Sequence, residues 1–185
     1  MPDGYADEVR DALLAKAAQA FHDDPALDAQ VLGDGSGGDS VSGYLRAYYQ
    51  RVVTEDLAPP SRLAAVAEAH ARLGLRRPQG RALVQVREPG DACLNPVSRP
   101  GLVVDIVIDD MPYLVDSVIT ELNRHEAEIS LLVHPLLRVC RDVTGMLRGV
   151  LGVSADDADP PDVEADELVE SWIHVEIGPP RDRVS

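Results

Sequence analysis

The sequence predicts an α+β fold in which a helical segment precedes a largely antiparallel sheet. Apolar residues recur at helical spacing through the first 77 residues, whereas from about Arg81 they mostly alternate with a period of two. The 185 residues are 45% apolar and 26% charged, which is a globular composition. We therefore expect a helical N-terminal segment over residues 1–78 and an α+β domain over residues 79–185.

Four helices are predicted in the N-terminal segment. An apolar stripe at i, i+4 spacing predicts the first, from about Asp7 to Phe21. Asp24 and Pro25 form an N-cap and first-turn pair, which predicts a short helix to Leu32. The next two helices carry apolar stripes through Val41, Leu45, Tyr48, Tyr49, Val52 and Val53, and, from Ser61, through Leu63, Val66, His70 and Leu73.

The second segment begins with two strands and a helix. The strands are Leu83–Arg87 and Leu102–Ile108, and the alternation in the second gives it two distinct faces. Pro112 is a favourable first residue for the helix that follows, which we expect to end near Glu126. Its apolar side, which should pack on the sheet, consists of Leu114, Val115, Val118 and Leu122.

Three further strands complete the predicted sheet. Alternation runs from Ile129 through Val139, and Pro135 within it predicts an edge position or a bulge. A turn at residues 142–145 should return the chain as an antiparallel hairpin over residues 146–153. The last strand covers residues 171–177, with Ile173, Val175 and Ile177 facing a core and Trp172, His174 and Glu176 facing the other way.

The charge distribution excludes two classes of partner. A formal net charge of −15 argues against nucleic acid and against an anionic membrane surface. Eight carboxylates without a basic residue lie between Val150 and Glu170, which predicts a solvated acidic loop over residues 154–170. An acidic N-terminus without signal-peptide order and two cysteines without CxxC spacing favour a cytoplasmic protein.

No pattern in the sequence predicts a catalytic, cofactor-binding or metal-binding residue. The five histidines lack metal-ligand spacing, and there is neither a phosphate-binding glycine motif nor a GxSxG elbow. Asp105, Asp109 and Asp110 could bind a divalent metal or act as acid and base. We favour helix capping by Asp109 and Asp110, which precede the predicted helix.

Three other side chains have a functional and a structural interpretation. His70 could be a ligand, but a half-buried histidine with a satisfied nitrogen fits its apolar stripe better. Cys140 lies on an apparent core strand, where a buried thiol is expected. Trp172 and Tyr113 could stack a ligand, although packing of Trp172 against the sheet is the simpler interpretation.

An ordered set of motifs resembles the N-terminal region of the large bacterial NAD-specific glutamate dehydrogenases. The motifs are DDMPYLVDSV at residues 109–118, LVHP at 132–135, RD at 141–142 with Gly145, and ESWIHVE at 170–176. Upstream, YYQRV at 48–52 and EDL at 55–57, followed by His70 and Gly80, are similar to the preceding helices of that family. The resemblance spans about residues 44–177.

The resemblance implies an ACT-like (ferredoxin-like) domain with one main packed helix and a non-catalytic regulatory or assembly role. The full-length enzymes oxidise L-glutamate with NAD in a distant C-terminal region, so no family catalytic residue maps onto this chain. ACT domains bind amino acids near the loop between their first strand and first helix. The resemblance therefore makes that loop an effector or interface site, with Asp109, Asp110, Met111, Pro112 and Tyr113 as its residues.

The predicted strand order departs from the usual ACT order because a second helix and a closing strand are missing. Either Leu83–Arg87 takes an edge position, or the fold is incomplete and an edge near Val175 is completed by further sequence or by another copy. Because an open edge pairs readily, we expect self-association or contact with the rest of the same polypeptide. Two alternatives remain: a standalone amino-acid-binding module, and a small hydrolase that holds a metal on Asp105, Asp109 and Asp110.

Overall fold

A computed structural model describes residues 3–21, 27, 40–52, 58–90, 92–94, 101–153 and 167–178. It contains helices α1 (Asp3–Ala20), α2 (Ser40–Tyr48), α3 (Pro60–Gly74) and α4 (Leu114–Arg124). Its strands are β1 (Leu83–Arg87), β2 (Leu102–Asp109), β3 (Ile129–Val133), β4 (Leu136–Arg141), β5 (Leu147–Val153) and β6 (Glu167–Ile177). The predicted α+β class is confirmed.

The six strands form one antiparallel sheet in the order β1-β2-β6-β4-β5, with β3 also paired to β6. The 11-residue strand β6 lies at the centre, with β2 on one side and β3 and β4 on the other. The predicted edge near Val175 is therefore wrong, because Val175 pairs with both Val104 and Leu132. The predicted edge position of β1 is confirmed, since it pairs with β2 at one end of the sheet.

The two faces of the sheet are covered by different helices. Helices α1, α2 and α3 cover one face and share a core with Val107, Leu137 and Trp172. Helix α4 covers the other face, where its predicted apolar side packs on Val104, Ile106, Ile173 and Val175. Both faces of β6 are thus buried. Trp172, His174 and Glu176 lie on the face that α1, α2 and α3 cover, and they have no exposed surface.

Several predicted boundaries move. Helix α4 begins at Leu114, two residues after Pro112, because Tyr113 adopts the left-handed conformation with φ 61° and acts as the N-cap. Pro135 lies between β3 and β4, where the strand is interrupted, and its carbonyl accepts a hydrogen bond from the Trp172 amide at 3.1 Å. The predicted hairpin is confirmed as β4 paired with β5. The short helix predicted over residues 24–32 falls outside the described residues except for Leu27, which is buried.

The predicted acidic loop is wrong at its C-terminal end. Residues 167–170 belong to β6, and Glu170 has no exposed surface. Residues 154–166 lie outside the described residues. The sequence pattern missed the first four residues of this strand because their carboxylates continue an acidic run, whereas the cationic partners lie elsewhere in the chain.

An aromatic cluster joins the helical layer to the sheet. Tyr44 and His70 contact Trp172, with ring centroids 6.3 Å and 5.0 Å apart respectively. The Tyr44 and Tyr49 hydroxyls donate hydrogen bonds to carbonyls of α3, at 2.9 Å and 2.8 Å. Because each buried hydroxyl has a partner, α2 packs against α3 without leaving an unsatisfied polar group. Trp172 is therefore a core residue, and Tyr113, which is 80% exposed, does not join it.

Gly74 allows α3 to lie against Trp172, so we predict that Gly74→Ala destabilises the fold. A Cβ atom at Gly74 would lie 2.4 Å from the Trp172 ring, whereas one at Gly43 in α2 meets nothing within 4 Å. We expect Gly74→Ala to lower the free energy of unfolding by roughly 1–3 kcal/mol through overpacking. Gly43→Ala should be neutral or raise it by up to about 1 kcal/mol. Urea unfolding of both variants tests this, and equal effects would contradict it.

Candidate functional site

The predicted effector loop joins β2 to α4. Its tip is solvent-exposed, with Met111 44% and Tyr113 80% exposed, and Tyr113 has the left-handed backbone conformation that non-glycine residues rarely adopt. The Ser117 hydroxyl donates a 2.8 Å hydrogen bond back to the Tyr113 carbonyl. The structure thus places an exposed aromatic residue on a defined turn, and the role of this loop as an effector site stays a prediction.

The base of the loop is held by side chains rather than by helix caps. The Arg77 guanidinium donates to Asp109 at 2.5 Å, and the Ser171 hydroxyl donates to Asp110 at 2.6 Å. Tyr113, the N-cap of α4, makes no side-chain cap hydrogen bond. The capping interpretation of Asp109 and Asp110 is therefore wrong, because both carboxylates bind groups of the sheet and its connections.

Ser171 also binds His134, whose Nε2 lies 3.0 Å from the serine Oγ. Serine, histidine and aspartate thus meet at the base of the loop, but in an order that does not suit catalysis. In a nucleophilic triad the histidine lies between the serine and the acid, so that it can accept the serine proton. Here Ser171 lies between His134 and Asp110 and directs its proton at the carboxylate. The fully buried Ser171 therefore ties β3 and β6 to the loop.

A buried ion cluster centred on Glu170 lies beneath this anchor. Arg141 binds the Glu170 carboxylate with two parallel hydrogen bonds of 2.6 Å and 2.8 Å. The Arg77 Nε donates to the same carboxylate at 2.8 Å, and the Trp172 indole donates at 2.9 Å. Burial by itself would raise the pKa of Glu170, but the hydrogen bonds and charges of the two arginines outweigh it and lower that pKa.

The hairpin turn after β4 completes this cluster. The Gly145 carbonyl accepts hydrogen bonds from the Arg141 Nη1 at 3.0 Å and from the Arg77 amide at 2.9 Å. Gly145 has φ 83°, and a Cβ atom there would lie 2.3 Å from the Arg77 carbonyl oxygen. Glycine suits this position because any side chain would meet the Arg77 backbone and the positive φ strains other residues.

A second buried cluster lies on the same sheet face around His174. The His174 Nδ1 lies 2.6 Å from Asp105, and its Nε2 lies 3.3 Å from Glu176. Carboxylates accept but do not donate hydrogen bonds, so both ring nitrogens carry protons and the imidazole is cationic. Burial opposes this charge, but the two carboxylates outweigh it and raise the pKa of His174. Arg87 binds the other Asp105 oxygen at 2.9 Å, so two cations balance two anions.

His70 lies between this cluster and the aromatic rings and is fully buried, not half-buried as predicted. Its Nε2 lies 3.1 Å from the Ile106 carbonyl, which only accepts, so Nε2 carries the proton. Its Nδ1 then accepts from the Tyr48 hydroxyl at 2.7 Å. Burial lowers the pKa of His70 to about 4, which keeps it neutral near pH 7.

These arrangements stabilise the fold and leave no reactive group facing solvent within the two clusters. Asp105, Asp109 and Asp110 bind different partners and do not form one site. No group of three or more histidine, cysteine or acidic side chains in the described ranges could hold a metal ion. Cys140 is only partly buried, in contrast to the prediction, whereas Cys93 is buried and its sulfur accepts from Arg62 at 3.0 Å.

The fold and its buried clusters define a sheet-and-helix module of the ACT-like class. A family model of the ACT1 domain of glutamate dehydrogenase matches residues 44–185, more than three quarters of the chain. The chain therefore belongs to the glutamate dehydrogenase ACT1 domain family. No solved structure matches it significantly. Within the part of the chain that the structure describes, no helix has the length and apolar content that a membrane crossing requires.

Removal of the Glu170 charge should destabilise the fold strongly. Glu170→Gln leaves Arg77 and Arg141 buried without their shared anion, which costs about 3–5 kcal/mol in comparable sites. Glu121→Gln on α4 is the matched control, because that pair with Arg124 is mostly exposed and such pairs contribute about 0–1 kcal/mol. Urea unfolding at pH 7 measures both, and a Glu170→Gln loss below about 1 kcal/mol would refute the assignment.

Burial of neutral His70 should make the fold sensitive to acid. The unfolded chain binds a proton at His70 near its ordinary pKa of 6.5, whereas the folded chain binds it only near 4. Stability from this residue is therefore complete above pH 6.5 and decreases by roughly 3 kcal/mol as the pH falls to 4. His70→Asn should weaken the dependence of the unfolding free energy on pH between pH 6.5 and about 4. An unchanged slope of unfolding free energy against pH would contradict the prediction.

Proposed function

We propose that this chain is a non-catalytic regulatory and assembly region of an NAD-dependent glutamate dehydrogenase. The observation that carries the proposal is the ACT1 family match together with two buried ion clusters that hold the fold. NAD binding and glutamate oxidation would belong to another part of the full-length enzyme, and a free amino acid is the proposed effector. A cytoplasmic location, inferred from the sequence, fits this assignment.

Strand β1 supports the assembly part of the proposal. Among the described strands it pairs only with β2, so its outer backbone edge is available for another strand. Val84 and Val86 on this strand are 60% and 59% exposed, and the strand sequence LVQVR contains no acidic residue. In a chain of net charge −15, this is a favourable edge for contact with a second copy.

The register of a symmetric pair can be derived from the strand. If two β1 strands pair antiparallel about Gln85, Val84 of one copy lies opposite Val86 of the other, and Leu83 lies opposite Arg87. No like charges then face each other, and two apolar cross-strand pairs form. The pair would extend the six-stranded sheet continuously across both copies.

The proposal predicts that charges on β1 prevent self-association. Val84→Lys with Val86→Lys should convert the dimer to a monomer, because lysines on an edge oppose strand pairing. Val143→Lys is the control, since Val143 is fully exposed in the β4–β5 turn. Sedimentation velocity measures the oligomeric state, and the same preparations should show no NAD reduction with glutamate.

Two results would overturn the proposal. If the variant with Val84→Lys and Val86→Lys still dimerises, assembly does not use β1. If the wild-type chain is monomeric at all concentrations, the proposed assembly role is refuted. Turnover of glutamate and NAD above background by the purified chain would refute the non-catalytic role.

A further inference from the structure

One buried guanidinium joins three strands at the end of the sheet where the β2–α4 loop begins. The Arg77 Nη2 donates to Asp109 in β2 at 2.5 Å, and the Nε donates to Glu170 in β6 at 2.8 Å. The Nη1 donates to the carbonyl of Arg81, two residues before β1, at 3.0 Å. The Arg77 side chain has no exposed surface, so all three contacts lie inside the protein.

The strand register explains how one side chain reaches all three strands. Asp109 lies opposite Glu170 in the pairing of β2 with β6. Extension of the β1–β2 register by two residues beyond Leu83 would place Arg81 opposite Asp109. Arg77 therefore bridges one row of the sheet at the point where the backbone pairing between β1 and β2 ends.

The same guanidinium fixes the turn that leads into β1. The Arg81 amide donates to the Pro78 carbonyl at 3.1 Å, and Gly80 between them has the positive φ of 71° that such a turn requires. The contact from Arg77 holds the Arg81 carbonyl as well. Because β1 pairs only with β2 among the described strands, this turn contributes directly to the order of its first residues.

Asp109 is the part of this arrangement that a partner in solvent can reach. Its side chain is 39% exposed, whereas those of Arg77 and Glu170 have no exposed surface. It is also the last residue of β2, directly before the loop that exposes Met111 and Tyr113. A cationic group of a partner bound at this loop would compete with Arg77 for the Asp109 carboxylate.

We propose that Arg77 couples the β2–α4 loop to the edge strand β1, so that a cationic partner at Asp109 weakens self-association through β1. A guanidinium is planar and rigid, so its three nitrogens cannot move independently. When Asp109 no longer accepts from Nη2, the attraction of Glu170 turns the plane, and Nη1 leaves the Arg81 carbonyl. The turn before β1 then loses a contact.

A less ordered edge strand binds a second copy more weakly, because pairing must then order it at a greater cost in conformational entropy. The coupling acts in both directions, so self-association through β1 should also favour the contact between Arg77 and Asp109. This inference concerns the regulation of the proposed assembly surface and rests on that part of the proposed function.

Matched neutral variants test the regulation. Asp109→Asn removes the charge that Arg77 binds, whereas Asp110→Asn removes the neighbouring charge, which the Ser171 hydroxyl binds instead. Both variants change the net charge equally, so a general effect of charge on association is the same in both. In sedimentation equilibrium, Asp109→Asn should raise the dimer Kd at least about fivefold, and Asp110→Asn should leave it unchanged. Thermal unfolding checks that both variants remain folded.

Amide hydrogen exchange tests the coupling within a single copy, at a protein concentration where the chain is monomeric. The Arg81 amide donates inside the turn, so its exchange rate reports opening of that turn. Asp109→Asn should accelerate this exchange at least about fivefold, and Asp110→Asn should not. Amides of β4 should keep their rates, because only a general loss of stability would accelerate exchange there as well.

The results separate this coupling from the assembly role. Unchanged Arg81 exchange in Asp109→Asn, or an equal increase in Asp110→Asn or in β4, would refute the coupling even if the chain dimerises through β1. Faster Arg81 exchange with an unchanged dimer Kd would refute the regulation and leave the assembly role in place. If the wild-type chain is always monomeric but Arg81 exchange responds as expected, the coupling within one copy stands, whereas the assembly role and its regulation fail.

Discussion

Charge compensation on the central strand is the constraint on which the rest of the structure depends. Strand β6 is buried on both faces, yet the face covered by α1, α2 and α3 carries Glu170, His174 and Glu176. A buried carboxylate without a partner costs several kcal/mol, so the sheet can form only if cations reach these positions. Arg77 arrives from the connection after α3 and Arg141 from β4, so the ion pairs specify which segments surround β6.

This constraint also separates stability from function in the molecule. Ionisable groups that would suggest chemistry in a sequence belong to buried ion clusters instead: His174 and Asp105, for example, pair with each other and have no exposed surface. Strand β1, by contrast, carries exposed side chains. Arg87 connects this strand to the Asp105 cluster, and Val84 and Val86 on the same strand are exposed. One strand thus connects the buried network with the proposed assembly surface.

Periodicity predicted the elements well where each element has one apolar side. Helix α4 and strand β2 were predicted within two residues at either end, because apolar residues at helical or alternating spacing face one core. Prediction failed where burial depends on a distant partner. Glu170 was placed in a solvated loop, since an acidic run resembles a solvated segment unless Arg77 and Arg141 are known to meet it.

The sequence by itself determined the fold class, the family resemblance and the side of α4 that packs on the sheet. These depend on spacing and motif order, which are properties of neighbouring residues. The tertiary structure alone decided that β6 is central, that Asp109 and Asp110 hold a loop instead of capping a helix, and that Glu170 is buried. Each of these depends on residues far apart in the chain, because hydrogen bonds and charge pairs act over a few ångströms in space regardless of sequence separation.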